Sequence, residues 1–201
     1  WATTCDPSIK NPQLEKSNCP PKDLTDEWND QYGYSKLYYD FLYNLASHTK
    51  GSIDHFIISN EVNSLRFWHG TRDQYLRLRK TAYKAIHDAN PDAVVIDNGL
   101  ASPVWGIAIT KGMIEQGKTE EAVAFFNGYM LRRGTKIQKL SVEQLQELET
   151  LDPEVELAIE FSDAVFKAPT FDWLSFHFYE PVEYLPQVIT YVKERMAKNG
   201  Y

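Results

Sequence analysis

The feature that most constrains the fold is an alternation of short, unbroken apolar segments with amphipathic helical segments. The apolar segments lie at 55–59, 92–97 and 171–178, and their length and β-branched content predict buried strands. Helices are predicted between them because apolar residues recur every three or four positions. This order is typical of parallel strands covered by helices, so the sequence predicts an α/β fold. An open doubly wound sheet and a (β/α) barrel both fit the pattern.

Short polar signals mark where several helices begin and end. The first helix is predicted from Tyr34 to Gly51. Thr71 and Gln74 form a capping-box pattern, and the helix that they open is predicted to end at Asn90-Pro91. Three or four further helices are predicted in series over 105–168, one capped by Ser141 with Gln144 and the last starting at Asp152-Pro153. A closing helix is predicted to end at Asn199-Gly200, and the cluster of Arg77, Arg79 and Lys80 is predicted to lie on a solvated helix face.

Charge and hydropathy exclude two classes of partner. The chain has 28 acidic and 21 basic residues, a net charge of −7, so its surface repels phosphate backbones and nucleic acid is not expected as a partner. No apolar run approaches the roughly 18 residues that a membrane span needs, so no membrane partner is expected. Aromatic residues make up 13% of the chain, which suits both a sugar-binding cleft and a large core.

The two cysteines, Cys5 and Cys19, flank a loop-like stretch rich in proline, asparagine and lysine. Two interpretations stay open: a disulfide that closes a loop of about fourteen residues, or two isolated thiols. A disulfide implies an oxidising compartment, and we expect an extracellular or periplasmic protein. The cysteines lack the histidine spacing of a zinc site, and no metal is expected.

Candidate catalytic residues follow two of the predicted strands. Asn60-Glu61 ends the first, and His177 and Tyr179 end the third. In parallel α/β folds function collects at the carboxyl ends of the strands, and a carboxyl group in a partly desolvated mouth can hold a proton near neutral pH. Glu61 is therefore a candidate general acid. The alternative is a strand-end glutamate that caps a helix or pairs with a lysine.

These strand ends resemble those of clan A glycoside hydrolases, which are retaining (β/α)8 enzymes and include β-xylosidases, cellulases and mannanases. The segment 57–61 (Ile-Ile-Ser-Asn-Glu) resembles the fourth strand of that clan, and 175–179 (Ser-Phe-His-Phe-Tyr) resembles the sixth. Trp1-Ala2 looks like the end of the third strand. The resemblance implies one domain over 1–201, a partial (β/α)8 barrel spanning strands three to six. A helical insertion over 105–170 would separate strands five and six.

The resemblance also implies roles for individual residues. Glu61 would be the general acid/base, and Asn60 would bind the 2-hydroxyl of the sugar. His177 would hold the carboxylates in position, and Tyr179 would donate a hydrogen bond to the nucleophile. Trp1 would form the floor of a subsite, while Trp68 would either lie beside the sugar or pack under its loop. The implied activity is hydrolysis of O-glycosidic bonds in a carbohydrate, with no cofactor.

One departure from the clan pattern concerns the nucleophile, a second glutamate on the seventh strand. We expect that group to lie outside this chain; Glu180 is an alternative within it, although Pro181 makes it a loop residue. Since a (β/α)8 barrel needs about 250 residues, a longer polypeptide, a second chain or a second copy is expected to complete it. An inactive or carbohydrate-binding remnant of the same fold is the alternative function.

A third interpretation comes from the segment that runs from Gly112 to Thr119 (Gly-Met-Ile-Glu-Gln-Gly-Lys-Thr), which satisfies the phosphate-loop pattern of nucleotide-binding proteins. That pattern requires a strand before the loop and a helix after it. The competing interpretation, which we favour, is a helix that ends at Gly117 with Lys118 and Thr119 in the connecting turn.

Overall fold

The structure is a computed structural model of the 201-residue chain. It describes residues 19–20, 24, 35–64, 67–97, 99–130, 141–146, 161–167 and 170–201. Trp1, Cys5 and the helix start predicted at Asp152-Pro153 lie outside these residues. The chain divides into two compact units, Trp1–Gly99 with Ala168–Ser175 and Leu100–Lys167 with Phe176–Tyr201. The single domain and the insertion between two barrel strands stay predictions.

The first unit contains two helices and two strands among its described residues. They are α1 (Lys36–Thr49), β1 (His55–Ile57), α2 (Arg72–Ala89) and β2 (Val94–Ile96). The second unit is helical, with a 3-10 turn at Val182–Tyr184 and a further helical segment over 161–167. Its helices are α3 (Pro103–Glu115), α4 (Thr119–Tyr129), α5 (Val142–Gln146) and α6 (Leu185–Lys198). The described part of the predicted series over 105–168 is helical, and the predicted closing helix is confirmed over 185–198.

The sheet of the first unit is small and parallel. β1 and β2 pair in parallel, with His55 opposite Val94 and Ile57 opposite Ile96. On the other side of β2, Trp173 joins Ile96 by a single parallel bridge. The α/β class with parallel strands therefore agrees with the sequence. The described residues form a two-stranded sheet and show no closed barrel.

The strands are shorter than the apolar segments predicted. The segment 171–178 forms only isolated bridges, one of them between Ile96 and Trp173. A side chain replaces part of the backbone ladder, because Asp172 Oδ2 accepts the Val95 N–H at 2.7 Å. The Asp172 N–H in turn donates to the Val95 carbonyl at 2.8 Å. The carboxylate thus satisfies one N–H on the edge of β2 that a longer third strand would have paired.

The expectation that β1 is buried on both faces is wrong. Ile57 is 63% exposed and His55 is also exposed, whereas the intervening Phe56 is half-buried. Side chains alternate between the faces of a strand, so one face of β1 is open. Trp173, two strands away, is 56% exposed, and its ring lies 5.2 Å from that of His55. The first unit therefore presents an apolar row on one face of its sheet.

Helix α2 forms the core of the first unit against the sheet and α1. The predicted capping box is confirmed, because the Thr71 hydroxyl accepts from Gln74 N and the Gln74 side chain accepts from Thr71 N. The helix ends at Ala89 and is capped by Asn90, as the sequence predicts. Of the expected apolar face, Tyr75, Leu78, Ala82, Ala85 and Ile86 are buried, whereas Ala89 at the helix end is only half-buried.

One prediction for α2 is wrong. Arg79 is completely buried instead of lying on a solvated face, while Lys80 is exposed. Arg79 falls four positions after Tyr75 and three before Ala82, so it shares the inward face of the helix. A buried arginine needs a charged partner.

The second unit packs around aromatic side chains. Trp105 on α3 is fully buried, and its ring meets those of Phe166, Phe176 and Tyr191. The ring of Tyr129 on α4 lies so close to Gly106 that a Cβ there would be 2.4 Å from Tyr129 Cδ1. A residue without a side chain therefore permits the close approach of α4 to α3.

The phosphate-loop pattern does not form a strand, loop and helix. The segment expected to supply the strand is part of α3, and Gly112 lies inside that helix. Gly117 has a φ of +76° after the helix end, and the Lys118 N–H donates to the Met113 carbonyl at 2.9 Å. This is the glycine-terminated helix that the alternative interpretation predicts. Residues 112–119 therefore do not form a phosphate loop.

Candidate functional site

The turn after β1 carries the candidate general acid. The Ile58 N–H still donates to the Ile96 carbonyl at 3.1 Å, and then the chain leaves the sheet. Ser59 and Glu61 both adopt left-handed backbone conformations, with φ of 66° and 40°. Such conformations are unfavourable for residues other than glycine and are concentrated at functional sites. The turn therefore contains backbone strain at the position where function is expected.

Neighbouring residues hold this turn in place. Val62 is buried directly after Glu61, and the Ser64 N–H donates to the Glu61 carbonyl at 2.8 Å. Asn60 is exposed and Glu61 is half-buried. A partly buried carboxyl group beside an exposed amide at the carboxyl end of a parallel strand is suited to acid–base chemistry.

Trp68 has the packing role that the sequence left as one of two possibilities. Its ring is buried edge-on against Tyr75, at 5.9 Å between centroids, and its indole N–H donates to the Thr71 carbonyl at 3.2 Å. These contacts place it beneath the loop that precedes α2. Its role in substrate binding stays a prediction.

The residue after Trp68 connects this loop to the disulfide. His69 is buried, and its Nδ1 lies 3.8 Å from the Sγ of Cys19. Cys19 is disulfide-bonded, which agrees with the bridge and not with isolated thiols. The half-cystine therefore packs against the loop that follows the candidate acid.

In the second unit the structure brings His177 and Tyr179 together. The Tyr179 hydroxyl lies 3.4 Å from His177 Nδ1, and the two rings meet edge to face at 5.9 Å. The backbone of His177 is fixed because its N–H donates to the Leu100 carbonyl at 3.2 Å. Tyr179 is 58% exposed, so its ring forms part of an accessible polar and aromatic surface.

Glu180 does not present an available nucleophile. Its side chain is only 3% exposed. Oε1 accepts from the Ser102 hydroxyl at 2.8 Å, and Oε2 accepts from the Tyr179 N–H at 2.9 Å. An attacking carboxylate must expose an oxygen to the sugar, whereas both oxygens of Glu180 are engaged in hydrogen bonds.

The sequence did not single out a charged pair at the end of β2. Asp97 follows the strand directly, and its Oδ1 accepts from the Tyr75 hydroxyl at 2.8 Å and from Arg79 Nη1 at 3.0 Å. Arg79 Nε also donates to the Thr170 hydroxyl at 2.8 Å. One signal would have found the pair: an arginine on the apolar face of α2 and an aspartate directly after an apolar strand.

The predicted site residues are therefore distributed over both units. Asn60, Glu61 and Trp68 belong to the first unit, and His177 and Tyr179 belong to the second. Trp1 lies outside the described residues.

Among the described residues, no group of three or more histidine, cysteine, aspartate or glutamate side chains is arranged to hold a metal ion. Over the same part of the chain, no helix is long and apolar enough to cross a membrane. Comparison with known proteins finds no matching family model, curated protein or solved structure.

Proposed function

We propose that the chain is part of a retaining glycoside hydrolase with Glu61 as its general acid/base. The observation that carries the proposal is the Asn60-Glu61 turn, which follows the carboxyl end of a parallel strand and has left-handed backbone on both sides of Asn60. Strain is retained where the surrounding structure over-determines it, and here it accompanies a half-buried carboxyl group directly after a parallel strand.

In the proposed reaction Glu61 first protonates the oxygen of the leaving group. As a nucleophilic carboxylate bonds to the anomeric carbon, the glycosidic C–O bond breaks and the leaving group departs as an alcohol. Glu61 then removes a proton from water, which attacks the same carbon, breaks the ester bond to the carboxylate and releases the sugar. The exposed amide of Asn60 would bind the 2-hydroxyl, where hydrogen bonds strengthen in the transition state. His177 and Tyr179 would contact the nucleophile or the sugar. No metal or organic cofactor takes part.

The nucleophile is assigned to a carboxylate outside this chain. A retaining mechanism needs two carboxyl groups about 5–5.5 Å apart with open access to the sugar. Glu180 does not meet this requirement, because it is buried and accepts hydrogen bonds at both oxygens. We propose that a seventh strand carries the nucleophile, on the same polypeptide, a second chain or a second copy.

We propose that the parallel strands of the first unit belong to a (β/α)8 barrel. β2 lies beside β1, the bridging residue Trp173 lies beside β2, and both pairings are parallel. Ile57, Ile96 and Trp173 form a row across these pairs, and two of the three are more than half exposed. The inward-facing side chains of a barrel pack against those of the strands across it, so the remaining strands would cover this row.

Two features support a carbohydrate partner in an oxidising compartment. Tyr179 offers an exposed ring beside His177, and rings of this kind pack against sugars. The disulfide at Cys19 fits an extracellular or periplasmic location.

The experiment measures hydrolysis of aryl β-glycosides by the native assembly and by two variants at position 61. Glu61→Gln keeps the shape of the side chain and removes the acid, so we expect kcat to fall by about 10²–10⁴. Glu61→Ala leaves space for azide, which attacks the glycosyl intermediate in place of activated water. Azide should therefore restore turnover on a substrate with a good leaving group.

The matched control is Glu194→Gln, an exposed glutamate on α6, which should leave the rate unchanged. Equal rates in Glu61→Gln and this control would overturn the assignment. If the wild-type protein hydrolyses no glycoside but binds oligosaccharides in calorimetry, the carbohydrate-binding remnant is supported instead. Failure of both assays would exclude both functions.

A further inference from the structure

Glu180 and Ser102 form a buried hydrogen bond. Neither residue takes part in the proposed reaction. The carboxylate of Glu180 is 3% exposed and Ser102 is completely buried, with 2.8 Å between the hydroxyl and Oε1. A buried carboxylate is tolerated only when hydrogen-bond donors satisfy it. The Ser102 hydroxyl and the Tyr179 N–H are two such donors.

Ser102 occupies a position where serine normally has another role. It directly precedes α3, where a serine hydroxyl usually accepts from the backbone of the first turn. Here the residue is helical, with φ −58° and ψ −26°, and it makes no capping bond to the described backbone of that helix. Its hydroxyl donates to Glu180, and its carbonyl accepts from the Tyr129 hydroxyl at 2.9 Å. Ser102 is therefore held by α4 while it holds Glu180.

The other oxygen of Glu180 determines the backbone of Tyr179. The Tyr179 N–H donates to Oε2, so the peptide plane before Tyr179 is fixed by the carboxylate of the next residue. Two residues earlier, the His177 N–H donates to the Leu100 carbonyl. The segment that carries His177 and Tyr179 is thus anchored at two points to residues 100–102.

We propose that Ser102 and Glu180 are positioning residues for Tyr179 and that together they fix the direction in which its phenol meets a carbohydrate. The inference rests on the proposed function for its ligand, and assigns Glu180 a role other than nucleophile. A charge-assisted hydrogen bond of this kind is stronger than a neutral one. Removing either hydrogen bond of Glu180 should therefore let the Tyr179 ring change its orientation, while the phenol itself is unaltered.

The test compares Ser102→Ala and Glu180→Gln with the wild-type protein by two measurements. Glu180→Gln keeps the side-chain volume. If its amide oxygen accepts from Ser102, its NH₂ group faces the Tyr179 N–H, and two donors then meet without an acceptor. The first measurement is the 19F signal of 3-fluorotyrosine introduced at position 179, which should shift and broaden in both variants. The second is the Kd of a xylo- or cello-oligosaccharide, which should rise about tenfold, the loss typical of one hydrogen bond to a charged group.

Two further variants separate positioning from general loss of packing. Ser102→Thr keeps the hydroxyl and should restore the wild-type 19F signal and affinity. Thr110→Ala removes another buried hydroxyl of α3, which donates to the Gly106 carbonyl at 2.7 Å, and should change stability without changing either measurement.

The outcomes distinguish this inference from the proposed function. If Ser102→Ala behaves like Thr110→Ala in both measurements while the wild type binds sugar, the positioning role is overturned and the hydrolase proposal stands. If the wild type binds no sugar, the proposed function fails, and with it the carbohydrate as ligand. An unchanged 19F signal in Glu180→Gln overturns the anchoring of Tyr179 in either case.

Discussion

Arg79 Nη1 donates to Asp97 Oδ1 over 3.0 Å, and both side chains are completely buried. The guanidinium also lies over the ring of Phe171, 5.2 Å from its centroid, and donates to the Thr170 hydroxyl. One arginine on α2 therefore connects the end of β2 with the segment that bridges to it. The contacts of this buried charge thus join three parts of the first unit: α2, the end of β2 and residues 170–171.

Breaking this pair by removing one partner should strongly destabilise the protein. Arg79→Met leaves the Asp97 carboxylate buried without its counter-charge, so the free energy of unfolding should fall by about 3–5 kcal/mol. Urea unfolding monitored by tryptophan fluorescence measures the change. Lys80→Met, at an exposed position of the same helix, should stay within about 0.5 kcal/mol of the wild type. Similar losses for the two variants would contradict a special role for Arg79.

Two glycines of α3 should respond in opposite directions to the same substitution. In Gly106→Ala the new methyl group meets the Tyr129 ring, and overpacking of this kind lowers stability by about 1–3 kcal/mol. In Gly112→Ala the methyl group has open space within 4 Å, and alanine should raise stability by about 0.5–1 kcal/mol. Thermal unfolding of both variants checks the contrast. A gain for Gly106→Ala would mean that α4 does not approach α3 closely.

The strained turn after β1 should be relieved by glycine at its first left-handed residue. Ser59 has a φ of 66°, which glycine adopts without steric penalty. Glycine removes the steric cost of this conformation, but it also gives the unfolded chain more conformational entropy, which partly offsets the gain. Ser59→Gly should therefore raise the free energy of unfolding by a net of about 0.5–1 kcal/mol. Ser59→Val should lower stability, since a β-branched residue is disfavoured there. The melting temperature should therefore be higher for Ser59→Gly than for Ser59→Val. The reverse order would contradict the left-handed conformation of residue 59.

Stability should decline in alkaline solution because of Tyr191. Burial, with a smaller effect from the charge of Glu115, raises the pKa of Tyr191 from 10.0 to about 12. Between these values the unfolded chain loses the phenolic proton while the folded protein keeps it, so stability is fully present below pH 10 and is lost as the pH rises toward 12. The slope from this residue approaches about 1.4 kcal/mol per pH unit.

The check is urea unfolding at several pH values from 9 to about 12 for wild type and Tyr191→Phe. The variant should show a shallower decline, although not a flat profile, because burial also raises the pKa of Tyr38. Identical pH profiles for the two proteins would contradict the assignment to Tyr191.

Features governed by neighbouring residues could be predicted from the sequence. The capping box of Thr71 and Gln74, the end of α2 at Asn90 and the helix termination at Gly117 all depend on contacts within five residues. The parallel α/β arrangement followed from the alternation of strands and helices. The position of Asn60-Glu61 after β1 followed in the same way, because the end of an apolar segment marks the end of a strand.

Only the tertiary structure decided what surrounds each of these side chains. The burial of Arg79 depends on Asp97 and Thr170, and the engagement of Glu180 depends on Ser102, which is 78 residues away. The exposure of Ile57 and the packing of Trp68 likewise depend on what lies opposite them in space. Local propensity sets the direction of a side chain along its own helix or strand. Its partners come from distant parts of the chain, which sequence spacing does not encode.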